Sequence, residues 1–313
     1  MDSVTVIICT YNRSSSLELT LQSLARIHVP SGCELEIIVV DNRSTDDTKQ
    51  VVDDARRINQ RLRYEYEAVP GQSAARNAGL SAARGEIIAF TDDDLRFAPD
   101  WLEELIRPLR SDSQAVVGGI TIAEHLRRDW MTPWHWSLYA GNNASMEMEG
   151  RCLTGANMAF LREVLKVVPG FDVELGPGRL GFCDDTLFSL QLEKAGYKIA
   201  YHPPAAVDHH FDPSRLSRVS LVDTARKVGS STMYIDYHWR HQAIPMAQVK
   251  LLRKQLLLSL WRRRNKSTVQ KEEGITEKEY WQIWDCGRLR QYMTAERHRP
   301  WLYDKFGSVK IAV

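Results

Sequence analysis

The chain has 313 residues, 43% of them apolar, enough to bury one large core or a core domain with a smaller appendage. Its 41 Lys and Arg against 40 Asp and Glu leave a formal charge of +1, so no overall field selects nucleic acid as a partner and any electrostatic function has to be local. Five scattered cysteines, with no Cys-x-x-Cys pair, argue against a disulfide framework or a structural zinc site and for a reducing, cytoplasmic setting.

The N-terminus enters an apolar run at once, without a basic region, which reads as a first strand and not as a signal peptide. No stretch of roughly 18 apolar residues predicts a membrane-spanning helix. The sequon Asn143-Ala144-Ser145 would matter only in a secreted chain. Short β-rich runs at 4–9, 35–40, 62–67 and 87–91 alternate with stretches of helical period, which predicts an α/β fold with a mostly parallel sheet and helices on both faces. Ser15-Ser16-Leu17-Glu18 reads as a capping box for the first crossover helix, with Leu19, Leu21, Leu24 and Ile27 as its apolar face. Pro99 is expected in the first turn of the helix after the fourth strand.

After about residue 115 the pattern loosens. Residues 115–122 and 157–161 read as strands, 185–195 as a helix and 197–201 as a short strand, with the histidines that follow in a loop. Beyond Pro213 the chain reads as helical, charged and rich in Trp, Tyr and Arg, which sets a boundary near residue 215.

In open α/β sheets, ligands bind at the carboxyl ends of the parallel strands, and here those ends carry polar clusters. Strand one ends in Thr10-Tyr11-Asn12-Arg13, strand two in Asp41-Asn42-Arg43-Ser44 and strand four in Asp92-Asp93-Asp94. Three carboxylates on one turn repel one another unless a cation neutralises them, and oxygen ligands suit Mg²⁺ or Mn²⁺ shared with substrate phosphates. The plainer alternative is a solvated acidic turn. Asp41 could take hydrogen bonds from a base or ribose, or simply cap its turn; Tyr11 could stack on a base. Arg76, early in a helix at the same edge, could meet donor phosphate or form a surface ion pair. The pair Asp184-Asp185 starts a helix, where a carboxylate is either a cap or part of a site. Gly176, Gly178 and Gly181 before it formally match Gly-x-Gly-x-x-Gly, but no strand precedes them; they suggest a lid loop instead of a dinucleotide fingerprint. His202, His209 and His210 cluster after the last strand, where an imidazole could complete a metal shell.

Taken in order, these segments resemble the family 2 inverting glycosyltransferases of GT-A fold over about residues 4–215. The resemblance rests on Thr10-Tyr11-Asn12-Arg13, Val40-Asp41-Asn42, Ala75-Arg76-Asn77-Ala78-Gly79 and Phe90-Thr91-Asp92-Asp93-Asp94. It implies a catalytic domain at 1–215, with a nucleotide-sugar half at 1–115 and an acceptor half at 116–215, followed by a helical region at 216–313. It further implies that Thr10, Tyr11, Arg13, Asp41 and Arg76 contact the donor nucleotide, that Asp92 or Asp93 reaches the ribose, and that Asp94 holds Mn²⁺ or Mg²⁺. His209 matches a recurring position of the family and is the second metal ligand. Where the family usually carries Glu-Asp, this chain has Asp184-Asp185, so Asp185 is the expected base and Asp184 its support. The implied reaction is one inverting displacement from a UDP-sugar, ahead of a dTDP- or GDP-sugar, to a saccharide or lipid-linked acceptor. Trp134 and Trp136 are candidate acceptor platforms, or else core.

Two alternatives stand beside this reading: a non-catalytic module that binds sugar nucleotides or polymers, and a sugar-1-phosphate nucleotidyltransferase. The second lacks the glycine-rich loop it would need near the first strand. In the tail, 249–264 joins an apolar arc to basic residues and Trp261. Such a helix could rest on the inner face of an anionic membrane. Packing on the catalytic domain, or on a second subunit in a homodimer, is the expectation preferred here.

Overall fold

A strand buried on both faces needs apolar side chains at every position, and Val6-Ile7-Ile8 and Ile37-Ile38-Val39-Val40 supply them without alternation. They form the centre of a mixed sheet. The computed structural model describes residues 2–139, 152–297 and 300–311, so the sequon at 143–145 lies outside the described residues. In chain order the elements are β1 (Ser3–Thr10), α1 (Ser14–Leu24), β2 (Glu34–Asp41), α2 (Thr48–Ile58), β3 (Leu62–Tyr66), α3 (Gln72–Ala82), β4 (Ile87–Asp92), β5 (Leu95–Phe97), α4 (Trp101–Ile106) and β6 (Ala115–Ile122). They continue with α5 (Pro133–Ser137), β7 (Asn157–Leu161), α6 (Asp184–Lys194), β8 (Ile199–His209), α7 (Arg218–His238), α8 (Ala247–Arg264), α9 (Lys266–Val269) and α10 (Glu277–Arg297).

The chain divides into two compact units. One comprises Met1–Arg127, Trp136–Val173 and Asp184–Phe211; the other comprises Arg128–His135, Glu174–Cys183 and Asp212–Val313. The first unit holds an eight-stranded sheet in the order β3-β2-β1-β4-β7-β6-β8-β5. Pairing is parallel from β3 to β4, antiparallel across β4, β7 and β6, parallel again between β6 and β8, and antiparallel at β5. Because side chains alternate along a strand, Val4, Val6 and Ile8 of β1 enter a core with Leu17, Leu21 and Leu24 of α1, whereas Ile7 faces a second core with Leu80 of α3 and Phe188 of α6.

Local signals failed in three places, each for a tertiary reason. The helix α1 starts at Ser14 with no side-chain cap; Ser15 lies inside it, and the Ser14 N–H is taken at 2.9 Å by Asp46 from another loop. Its buried face is Leu17, Thr20, Leu21 and Leu24, while Leu19 is exposed. Pro99 precedes α4, whose N-cap is Asp100. The last strand does not stop before its prolines: β8 runs through Pro203 and Pro204, where its pairing with β6 slips between Gly118 and Ile120 and leaves both prolines outside the paired register. His202 and His209 are therefore strand residues.

The glycine-rich segment belongs to the second unit and closes on itself, with Gly176, Gly178 and Gly181 at positive φ and the Gly181 N–H donating to the Gly176 carbonyl at 2.9 Å. The core of that unit includes Met233 and Tyr237 of α7, Ala247 and Leu251 of α8, and Cys286 and Leu289 of α10. The helices α7 and α10 cross at two glycines. A Cβ on Gly229 would lie 2.2 Å from the Trp284 carbonyl oxygen, and one on Gly287 would lie 2.4 Å from that of Arg226.

Asn157, fully buried at the start of β7, braces the first unit. Its amide donates to the carbonyls of Gly119 at 2.9 Å and Ala205 at 2.7 Å and accepts from the Trp101 indole at 3.0 Å. Asn157→Ala leaves three buried polar groups without this partner, and the unfolding free energy from urea titration should fall by about 3 kcal/mol. An unchanged urea midpoint would remove Asn157 from this role.

Candidate functional site

The parallel register sets Thr10 of β1 beside Asp41 of β2 and Cys9 beside Asp92 of β4, so these strand ends share one edge of the sheet. From the antiparallel side, Thr91 pairs with Asn157, which brings Gly155 to the same edge. The Gly155 N–H donates to Asp185 Oδ2 at 3.0 Å, which ties the start of α6 to that edge. At the far side, Leu95 pairs with His209, so the end of β8 meets the acidic turn.

The cation that answers the acidic turn is an arginine. Arg13 bridges Asp93 Oδ1 at 2.7 Å and Asp94 Oδ2 at 2.8 Å, and both aspartates are buried. Burial works against the Arg13 charge, but Asp93 and Asp94 outweigh it and push its pKa up. Arg13 is thus one cation that neutralises the turn. Thr10, also buried, donates its hydroxyl to Asp93 Oδ2 at 2.7 Å, and Thr20 donates to the Asp93 carbonyl at 2.7 Å. Thr10, Arg13 and Asp93 thus serve one another as a fixed turn. Asp92, half-buried at the end of β4, lies 3.4 Å from the Gln72 amide.

Asp94 turns its other oxygen toward His209, with Oδ1 3.3 Å from Nε2. The Nδ1 of His209 lies 2.7 Å from the Tyr139 carbonyl; an N–H donated there leaves Nε2 as the lone-pair nitrogen of the neutral ring. The neighbouring His210 offers only its backbone N–H to the Asp94 carbonyl, at 2.8 Å. His202 is elsewhere, 2.8 Å from Glu104 of α4. A carboxylate oxygen beside an imidazole nitrogen suits Mn²⁺ or Mg²⁺ as a donor set. Among the described residues no three His, Cys, Asp or Glu side chains form a metal cluster, so an ion here would draw its remaining ligands from water and phosphate.

Arg76 and Asp184 form the second arginine-carboxylate pair. Both are buried, their side chains are in direct contact, and the Arg76 guanidinium lies over the Phe171 ring at 5.3 Å. Burial opposes the Arg76 charge while Asp184, Asp185 and Asp92 more than restore it. Gly155 is needed here, since a Cβ would lie 1.7 Å from Arg76 Nη2. Arg76 is thus a buried partner of Asp184 and not a surface cation. Asp185 is half-buried, and burial, reinforced by Asp184, pushes its carboxyl up to about 6 against the pull of Arg76 and the Gly155 N–H.

The remaining candidates separate. Asp41 takes the role of a turn cap, accepting the Ser44 N–H at 2.7 Å and the Tyr64 hydroxyl at 2.8 Å. Tyr11 stands 58% exposed after β1, on a loop held by the Asn12 N–H donating to Ser44 Oγ at 2.9 Å. Burial pushes the Cys9 thiol up to about 12, which removes it from nucleophilic chemistry. Trp134 packs edge-on against His135 at 4.6 Å and Tyr280 at 5.2 Å, the packing alternative for that residue; Trp136 is half-buried. Sequence reasoning missed Thr20, Gly155 and Asn157, which act through backbone groups or contacts remote in sequence.

A glucosyl-dolichyl phosphate glucuronosyltransferase of Haloferax volcanii is 28% identical over 221 residues, covering 66% of this chain and 68% of that protein. The GalNAc(5)-diNAcBac-PP-undecaprenol beta-1,3-glucosyltransferase of Campylobacter jejuni is 32% identical over 124 residues, and the match spans 39% of each. In three dimensions, the mannosyltransferase PcManGT of Pyrobaculum calidifontis, solved with GDP-Man and Mn²⁺, shares the fold at a TM-score of 0.62 and 18% identity, covering 94% of this chain and 87% of that one. GalNAc-T7, solved with UDP, GalNAc and Mn²⁺, follows at 0.53 and 19%, covering 78% of this chain and 52% of that one. The model of Glycosyl transferase family 2 matches residues 5–168, more than half of the chain. That match runs from β1 past β7 and stops before α6 and β8, and this chain belongs to glycosyl transferase family 2, with a GT-A fold.

Proposed function

We propose that this glycosyltransferase moves a sugar, with inversion, from a nucleoside diphosphate to a hydroxyl group of a saccharide or lipid-linked acceptor. The observation that carries the proposal is Asp94 Oδ1 facing His209 Nε2 beside the half-buried Asp92, at the edge where an exposed Tyr11 ends β1. In this reading Tyr11 stacks on the base, Asp92 takes the ribose, and Asp94 with His209 holds Mn²⁺ or Mg²⁺. Such an ion would supply positive charge for the departing diphosphate. Relatives and neighbours whose names carry dolichyl or undecaprenol substrates, or whose structures contain Mn²⁺, support the substrate class and the ion. Family membership sets the nucleotidyltransferase aside.

Asp185 is the base. Its carboxylate accepts the proton of the acceptor hydroxyl as that oxygen bonds to the anomeric carbon, and the bond from that carbon to the diphosphate oxygen breaks with its electron pair leaving on the diphosphate. Asp184 and Arg76 position it. The Gly155 N–H holds one oxygen of Asp185 and the Thr186 N–H, at 2.8 Å, the other.

Asp185→Asn should bind the donor as the parent does and lose at least about a thousandfold in kcat, the scale of a removed general base. Near-parental turnover would move the base elsewhere. Since Asp185 must be ionised to accept a proton and its carboxyl sits at about 6, kcat/KM should fall as pH drops below that value. Asp184 raises this pKa and Arg76 lowers it, so Asp184→Asn should move the acid limb to lower pH; a limb at unchanged pH would exclude Asp185 as the titrating group. Asp94→Ala should abolish the Mn²⁺-dependent thermal shift with UDP, dTDP or GDP, whichever the parent selects. If the parent gains no stability from any of these nucleotides with Mn²⁺, the donor proposal fails.

A further inference from the structure

The helix α8 packs inward through Ala247 and Leu251, in a core with Met233, Tyr237 and Leu289. Its opposite face is apolar as well. Val249, Leu252, Leu256, Leu257 and Leu260 are 41–61% exposed. At about 100° per residue, Leu252, Leu256, Val249 and Leu260 fall within an arc of about 80°, turned away from Leu251. The inward face thus packs on α7 and α10, and a second apolar face remains in solvent.

Charge identifies what covers it. Along its 18 residues α8 carries six Lys and Arg and no acidic residue. Lys254 pairs with Asp285, and Arg262 with Glu279. Lys250, Arg253, Arg263 and Arg264 are exposed and form no ion pair among the described residues. Two grooves of about 560 and 530 Å³ run beside the helix; the first carries Lys250 and Arg253, the second Arg263, Lys266 and Arg290. A second copy of α8 would set these cations against their own kind. An anionic bilayer answers both features, with the leucines at the acyl boundary and the long basic side chains reaching the lipid phosphates.

We propose that α8 lies in the plane of an anionic phospholipid surface as a peripheral membrane contact. Among the described residues no helix is long and apolar enough to cross a membrane, so the contact is interfacial. This proposal does not rest on the transferase reading.

The test is co-sedimentation of the full chain with phosphatidylglycerol vesicles and with phosphatidylcholine vesicles. The chain should pellet with the first, weakly with the second, and less at high salt. Leu252→Glu, Leu256→Glu and Leu260→Glu combined should reduce pelleting at least about tenfold. Arg253→Gln, Arg263→Gln and Arg264→Gln combined leave every leucine in place and should remove the preference for anionic lipid. Asp94→Ala should pellet like the parent, which separates this surface from the donor site. Absence of pelleting with anionic vesicles, or pelleting of both triple variants equal to the parent's, would overturn the proposal. So would a parental dimer in light scattering that the leucine variant abolishes.

Discussion

A carboxylate at the end of a strand buried on both faces loses its hydration, and the loss is tolerable only where the protein returns the charge interaction. Arg13 does this for Asp93 and Asp94 in one bidentate bridge, and Arg76 does it for Asp184. The edge of the sheet depends on these two guanidinium groups. Arg13 is aimed by the backbone before it: Asn12 sits at φ +51°, and its side chain accepts the Thr45 N–H at 2.7 Å. That hydrogen bond and the Asn12 N–H to Ser44 lock the end of β1 to the loop after β2.

With those pairs fixed, the groups left to act are few. Asp93 is enclosed by Arg13, Thr10 and Thr20, whereas Asp94 has one oxygen on Arg13 and the other toward His209. The same division recurs at the start of α6. Asp184 spends itself on Arg76, while Asp185 keeps a half-buried carboxyl whose pKa is raised by the crowding. In the proposed reaction, structure and chemistry thus fall to adjacent residues of each acidic cluster.

Much of this edge was legible because the relevant signals are local. An apolar run followed at once by Asp92-Asp93-Asp94 states that a buried strand ends in carboxylates, and β2 and β4 do so within a residue or two of their expected ends. The partners of those carboxylates were not legible. Arg13 lies 80 positions from Asp93, Arg76 lies 108 from Asp184, and neither pattern of spacing carries a period. Asp41 could cap or bind on sequence alone, and its hydrogen bonds from the Ser44 N–H and from Tyr64 on the adjacent strand show the cap. The prolines of β8 hid a strand, because the bulge that tolerates them is a property of its pairing with β6.

The balance of charge at this edge also bears on how a donor enters it. Asp92, Asp93, Asp94, Asp184 and Asp185 present five carboxyl groups against the two guanidinium groups of Arg13 and Arg76. Both guanidinium groups are paired with aspartates, which offsets part of the attraction they offer a diphosphate. A diphosphate approaching such a surface is repelled unless a cation arrives with it or before it. Oxygen and imidazole donors that face each other across 3.3 Å at Asp94 and His209 are where that cation meets the least competition from the arginines. The proposed use of a metal ion fits the way the protein commits its own positive charge to folding the site.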